Sequence, residues 1–270
     1  MSEKPSNKKT MQDSAAKPAG FQFTPDAFKG LVQETLASAK AMGAVDAVAE
    51  VSEAYGLSVS VRQQELENVE RNRDKSLGVT VYLGHHRGHA STSDFSAKAV
   101  EDTVRAAYDI ARFTAEDPMA GLPDAQDIVT DVRDLDLFHP WNVDAGAAAE
   151  LALRCEGAAL KTSRQITNSE GASVSAQHAH FFAAHMRGGE MDKPGIFSGG
   201  YASSRHSMGV SVIAGKGDGM QRDAWFTSMR DANEFSGATA IGRYAAQRTL
   251  SRLNARKIKN SPKGCKAASR

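Results

Sequence analysis

Cysteine is nearly absent from this chain: Cys155 and Cys265 are the only two in 270 residues. Two thiols cannot build the disulfide framework of a small secreted domain or a four-cysteine zinc site, and such sparing use agrees with a reducing compartment. No run approaches the roughly 18 consecutive apolar residues that a bilayer-spanning helix needs. The first twenty residues, MSEKPSNKKTMQDSAAKPAG, have no apolar stretch to serve as a secretory signal. These absences predict a cytoplasmic protein without membrane contact. Aromatics are few at 7%, yet 41% hydrophobic and 24% charged residues are ordinary for a folded chain. Collagen-like, coiled-coil and wholly disordered readings are excluded, and the length suits one large domain or two modest ones.

Acidic residues are missing from one end. Residues 243–270 hold nine Lys/Arg and no Asp or Glu, so a whole-chain charge of +1, less that +9, leaves −8 for residues 1–242. Arg248, Arg252 and Arg256 at i, i+4 spacing would line one helix face and could meet phosphates. The run has no interleaved aromatics and belongs to no nucleic-acid module, so it reads as a solvated helix face with a loose tail, and no nucleic-acid partner is expected.

What is present reads as an α+β chain. Residues 1–22 are polar and without period, the pattern of a disordered leader. Thr24 and Pro25 then form a cap and first turn, with Phe28, Leu31, Val32, Leu36 and Ala39 on one face until Gly43. Leu57, Val59 and Val61 alternate, as do Val79, Val81 and Leu83, and a glycine-flanked turn at residues 84–88 returns the chain along His89 to Ser93. This predicts an antiparallel meander of three or four strands. Ser96 caps a second helix with Val100, Val104, Ala107, Tyr108 and Ala111 inward. Residues 114–142 carry three of the eight prolines and many Asp, which marks an irregular connection and a possible sub-boundary.

After it the programme repeats. Asp144 caps an Ala-rich helix with Ala148, Leu151, Cys155 and Ala158 inward. Alternating strands follow at about 168–182, 201–214 and 223–229, and a helix from about Ser236 to Asn254 closes the run. The segments EAYGLSVSVRQ and SEGASVSAQHA share a small-residue turn and an S-V-S core, so the architecture predicted is antiparallel meanders with flanking helices, with a duplicated helix, meander, helix unit as one form of it.

Candidate chemistry is sparse. His85, His86 and His89 cluster in one turn, and His178 and His180 share one strand face. A zinc protease helix needs His-Glu and a second His one turn later, so that both imidazoles reach the metal and the carboxylate polarises its water. No His here precedes Glu, and the histidines read as polar residues of a hairpin tip and a solvated strand face. Gly215 to Gly219 could cradle a phosphate on successive amides but reads more simply as a turn between strands. Cys155 lies on the apolar stripe of its helix, as a small core residue would. Asp117, Asp134 and Asp136 read as loop charge. No catalytic, cofactor-binding or metal-ligating residue is assigned.

Six stretches, in order, carry a resemblance: GLSVSVRQQELENVERNRDKSLGVTVY, DIARFTAEDPMAGLPD, DLDLFHPWNV, RQITNSEGASVS, SSRHSMGVSVIA and RTLSRLNARKIK. Together they extend over about residues 25–259, and the chain resembles the N-terminal half of the PmbA branch of the TldD/PmbA metallopeptidase family, also called the modulator of DNA gyrase family. The resemblance implies a subunit that itself lacks the zinc motif. Zinc is implied in a TldD-like partner subunit, which carries a His-Glu-x-x-x-His helix, and the pair would process unfolded peptides in the cytoplasm. The N-terminal half would wall a chamber around that site.

After Lys259 the family continues into a β-rich C-terminal domain, whereas residues 260–270, NSPKGCKAASR, resemble nothing in it. A truncated or frameshifted product and a deliberately short homologue both fit this departure. No catalytic or metal residue carries over, so the chain alone is expected to be inactive. A stand-alone binding or scaffold domain is the other reading.

Overall fold

The computed structural model describes residues 20–129 and 131–255. The chain runs α1 (Pro25–Ala41), β1 (Asp46–Arg62), β2 (Glu65–Leu83), β3 (His86–Thr92), α2 (Ala97–Phe113), then the connection to α3 (Ala145–Leu160), β4 (Ile166–Met186), β5 (Ser198–Ala214), β6 (Gln221–Met229) and α4 (Ala238–Ser251). The class is α+β, and the order helix, three-stranded meander, helix occurs twice. The two meanders are not separate. They join edge to edge through the antiparallel β1/β4 ladder into one six-stranded sheet of order β3-β2-β1-β4-β5-β6.

Local signals explain the helix starts. Thr24 Oγ1 accepts from the amide of Ala27, Ser96 Oγ from that of Ala99 and Asp144 Oδ1 from that of Ala147, each satisfying an amide that the first turn leaves unpaired. In α3 the buried stripe is Ala148, Ala152, Cys155 and Ala159, with the expected Leu151 and Ala158 only half-buried beside it.

All helices lie on one face of the sheet. Over the β1–β3 half, α1 and α2 bury Phe28, Val32, Leu36, Val100 and Val104 against Ala47, Val51, Val79 and Val81. Over the other half, α3 and α4 bury Cys155, Ile241 and Ala245 against Val59, Val61, Val174, Val210 and Val212. Full burial of a Phe or Leu side chain stabilises by about 1.5–3 kcal/mol, so each cluster anchors its helix pair. The second face of the sheet has no helix on it; Ser58 and Ser60 of β1 lie opposite Ser175 and Ser173 of β4, while Ser52 lies opposite Phe181. The two S-V-S segments sit directly opposite one another, Val59 against Val174, both beneath α3 and α4. They therefore do not occupy equivalent places in the two halves, and it is the order of elements that repeats.

Three boundaries differ from expectation. β1 begins at Asp46, eleven residues before the alternation at Leu57. β2 takes in the whole polar run from Glu65, whose residues are exposed at the sheet edge because β3 pairs only with Leu77–Leu83. Residues 20–22, expected in the leader, are packed: Phe21 is 1% exposed, and the Gln22 amide donates to both Glu53 carboxylate oxygens at 2.8 and 2.9 Å. Residues 1–19 of the leader and the tail at 260–270 lie outside the described residues.

The irregular connection does not divide two bodies. Its first part lies on the open face, where Val132 covers Gly199. It then passes the edge of β5 at residues 198–205, a stretch that β6 leaves unpaired because it reaches only His206–Ala214. There Leu137 accepts from the Ser204 amide at 2.9 Å. It ends on the helix face with Phe138 and Trp141 packed on His178 and His206. The strap thereby shields a sheet edge that would otherwise offer bare backbone groups.

Candidate functional site

The helix pairs leave a gap over the middle of the sheet, and polar and aromatic residues fill it. Odd-numbered residues of β1 face the helices, so Glu53 and Tyr55 follow Val51 onto that face. Across the ladder Glu53 opposes His180 and Tyr55 opposes His178, while β5 adds Ser204 and His206. The cover comes from Phe21, Phe28 of α1 and the strap.

His178 and His180 do share a strand face, but it is the covered one: they are 4% and 3% exposed, and His206 is fully buried. The expectation of a solvated face fails because the lid over it arrives from distant parts of the chain. His178 stacks on Tyr55 with centroids 4.4 Å apart, and His180 stacks on Phe28 at 4.6 Å. The Trp141 amide donates to His178 Nε2 at 3.2 Å, and His206 Nε2 donates to the His139 carbonyl at 2.9 Å. These partners assign neutral imidazoles, protonated at Nδ1 in His178 and at Nε2 in His206. Burial, then the neighbouring His206 ring at 5.1 Å, pushes the His178 pKa down to about 4. Burial likewise lowers those of His180 and His206. Beside the rings a pocket of about 320 Å³ lies between Tyr55, Arg71, Trp141 and His178.

Two buried carboxylates tie the seam and the sheet together. Glu53, 1% exposed, binds the amides of Gln22 and Phe23 and the Arg73 guanidinium, at 2.5 Å to Nη1. Glu156 of α3 is fully buried and accepts from the Gln63 and Gln64 amides at 2.9 and 2.7 Å and from Gln64 Nε2 at 2.9 Å. Burial alone would raise the Glu156 pKa, but hydrogen bonds from Ser169, Gln64 and Gln63 outweigh it and hold the group below the usual range. Neither carboxylate was singled out in the sequence. Only the alternation that brings Glu53 onto an otherwise apolar face could have found the first.

The other sequence candidates disperse. His85 Nδ1 lies 3.1 Å from the Ala120 carbonyl, His86 Nδ1 2.7 Å from that of Thr114 and His89 Nδ1 3.0 Å from Thr80 Oγ1. His85 and His86 fasten the strap's beginning, His89 stays within the β2/β3 pair, and the three do not converge. Cys155 is fully buried and its thiol pKa is pushed up to about 12 by burial, then by Glu156. Gly215 and Gly217, at φ +83° and +54°, make the β5–β6 turn. Asp117 and Asp134 accept from amides two residues on, at Met119 and Asp136. Arg248 and Arg252 both pair with Asp223 of β6, at 3.1 and 2.7 Å. Arg256 and Cys265 lie outside the described residues. Among the described residues no three His, Cys, Asp or Glu side chains are placed to hold one metal ion, and no helix is long and apolar enough to cross a membrane.

Comparison with known proteins places this architecture. Residues 47–111 match the model of PmbA/TldA metallopeptidase domain 1, and residues 197–253 match that of the PmbA/TldA metallopeptidase central domain. Metalloprotease PmbA of Escherichia coli O157:H7 is 43% identical over 83% of this chain and 47% of its own length. The chain belongs to the PmbA/TldD metallopeptidase family. The Metalloprotease PmbA homolog of Haemophilus influenzae is 38% identical over 77% of the chain and 44% of its own. The chain thus spans about half the length of these relatives. Solved structures share the fold. A Bacteroides thetaiotaomicron protein named for modulation of DNA gyrase superposes with TM-score 0.72 at 19% identity, over 87% of this chain and 52% of that one. TldE from Thermococcus kodakarensis does so with TM-score 0.61 at 12% identity, over 82% and 47%.

Proposed function

We propose that this chain acts as the N-terminal part of a PmbA-like subunit in a cytoplasmic metalloprotease, lacks the zinc motif itself, and works with a zinc-bearing TldD-like subunit on unfolded peptides. The observation that carries the reading is the 43% identity to Metalloprotease PmbA across both family domains. The seam supports it chemically. His178 and His206 each hold strap backbone, and His180 is sealed between Phe21 and Phe28, so in this fold these rings act as packing groups, which is compatible with zinc chemistry in a partner.

The test is reconstitution. The 270-residue chain is mixed with a purified TldD-like subunit, and hydrolysis of an unfolded casein peptide is followed with and without a zinc chelator. Complex formation together with chelator-sensitive hydrolysis in the mixture, and none from this chain alone, is the expected result. Hydrolysis by the chain alone overturns the division of labour. Failure to associate with the TldD-like subunit favours a stand-alone binding or scaffold domain.

A further inference from the structure

A pocket lies away from the seam on the helix face. It occupies about 440 Å³ where the C-terminal half of α3, the first turns of α4 and the β1–β2 hairpin tip meet, and its wall carries Arg154, Lys161 and Arg243 with Thr239 and Gln64. Three cations line it and no carboxylate does. Glu156 lies beneath, but its oxygens are taken by the amides of the hairpin tip.

None of the three cations has an ion-pair partner among the described residues. The contrast within α4 is direct: Arg248 is neutralised by Asp223, whereas Arg243, little more than one turn earlier, is left facing the pocket. Residues 1–242 carry a net −8, so acidic residues are not scarce. Lys161 has an ordinary role as C-cap of α3, where a cation suits the carbonyl end of the helix. Arg154 and Arg243 have no such role. The start of α4 adds to their field. Its N-cap is Gly237, which supplies no side-chain acceptor, and the amides of Ala238 and Thr239 have no partner among the described residues.

Two guanidinium forks, an ammonium, a free hydroxyl and free helix amides offer more donors than the two oxygens of a carboxylate can use. A phosphate offers at least three oxygens and close to two charges, and arginine forks match it in pairs. We propose that this pocket binds a phosphate group, free or carried by a small phosphorylated molecule. Gln64 lines the pocket with its side chain fixed by Leu153 O and Glu156.

The 270-residue chain would be titrated at constant ionic strength with inorganic phosphate, pyrophosphate and glucose 6-phosphate, with succinate as a dicarboxylate of similar charge. Calorimetry and amide chemical shifts give the readouts. Saturable binding of a phosphate probe is expected, with shifts centred on Gly157 and Thr239 in the unaltered protein. Arg154→Gln and Arg243→Gln should each weaken it at least fivefold, with Lys98→Gln on α2 as an unaffected control. Tighter binding of glucose 6-phosphate than of inorganic phosphate identifies an ester as the source; equal binding identifies free phosphate. No saturation, equal binding of succinate, shifts centred elsewhere, or unchanged affinity in both arginine variants overturns the proposal. The shift map stands even where a variant fails to fold.

Discussion

Glu53 and Arg73 pair diagonally across the β1/β2 ladder, where Lys75 stands opposite Glu53 and Tyr55 opposite Arg73, and their exposure is unequal: the carboxylate is 1% exposed and the guanidinium side chain 39%. The acid is therefore the dependent partner. It is bound by Arg73 and by the amides of Gln22 and Phe23, and through these it fastens the entry to α1 onto the sheet.

Removing that carboxylate strands an arginine and two amides. Glu53→Ala should destabilise the fold by about 3 kcal/mol or more, the usual cost of breaking a buried pair from one side. Glu53→Gln retains one acceptor and should cost less. Urea unfolding measures the difference, and hydrogen exchange should show Gln22 and Phe23 losing protection in both variants. Unchanged protection would mean that the entry segment is held by Phe21 packing alone.

The hairpin tip repeats the theme with Glu156. Gln63 and Gln64 sit at φ +53° and +65°, a left-handed pair that normally favours Asn-Gly. The strain is held because both amides point at one buried carboxylate. Glu156→Ala should therefore cost about 3 kcal/mol, since it orphans those amides in a buried site. Adding Gln63→Asn with Gln64→Gly should recover part of the loss. A melting curve that ignores the added pair would show that turn strain contributes little.

How much of this was legible follows from the range of each interaction. Thr24, Ser96 and Asp144 could be read as caps because a cap acts within three residues. The alternation around Val59 and Val79 revealed strands, and His178 with His180 revealed a shared face. Which face is covered was not legible, since Phe21, Phe28 and Trp141 arrive from well over a hundred, or nearly forty, residues away. The joining of the halves through β1 and β4 was hidden for the same reason. The Gln63-Gln64 turn has no glycine to announce it, and Arg154 and Arg243 meet only because α3 packs on α4. The family was read from long stretches of sequence, which need no such geometry.

Two glycines let a helix approach neighbouring backbone closely. A Cβ on Gly242 would stand 2.1 Å from the Cys155 carbonyl oxygen, and one on Gly88 would stand 1.9 Å from that of Ala107. Both obstacles are backbone and cannot rotate away. Gly242→Ala and Gly88→Ala should each cost about 3 kcal/mol by prising a helix from its neighbour. Gly30, exposed within α1 with nothing within 4 Å, is the control. Gly30→Ala should stabilise by up to about 1 kcal/mol through helix propensity. Thermal melts of the three variants check the opposite signs.

The buried histidines should make the fold acid-sensitive. His178 has a folded pKa of about 4 against 6.5 for the free side chain, so the native state prefers the neutral ring. A depressed pKa contributes stability that is fully present above pH 6.5 and is lost as pH falls toward 4, because the unfolded chain takes up the proton first. At about 1.4 kcal/mol per unit, His178 alone is worth on the order of 3 kcal/mol across that window. His180 and His206 act in the same direction. Protonating His178 also removes the acceptor of the Trp141 amide, so the strap should loosen first. Urea midpoints should be flat from pH 8 to 7 and fall steeply between 6.5 and 4.5, with Trp141 fluorescence changing ahead of far-UV dichroism. His178→Phe should flatten part of that fall while lowering stability at pH 7, because it leaves the Trp141 amide unpaired. A midpoint that stays level down to pH 4.5 would show that these rings are not buried as neutral groups.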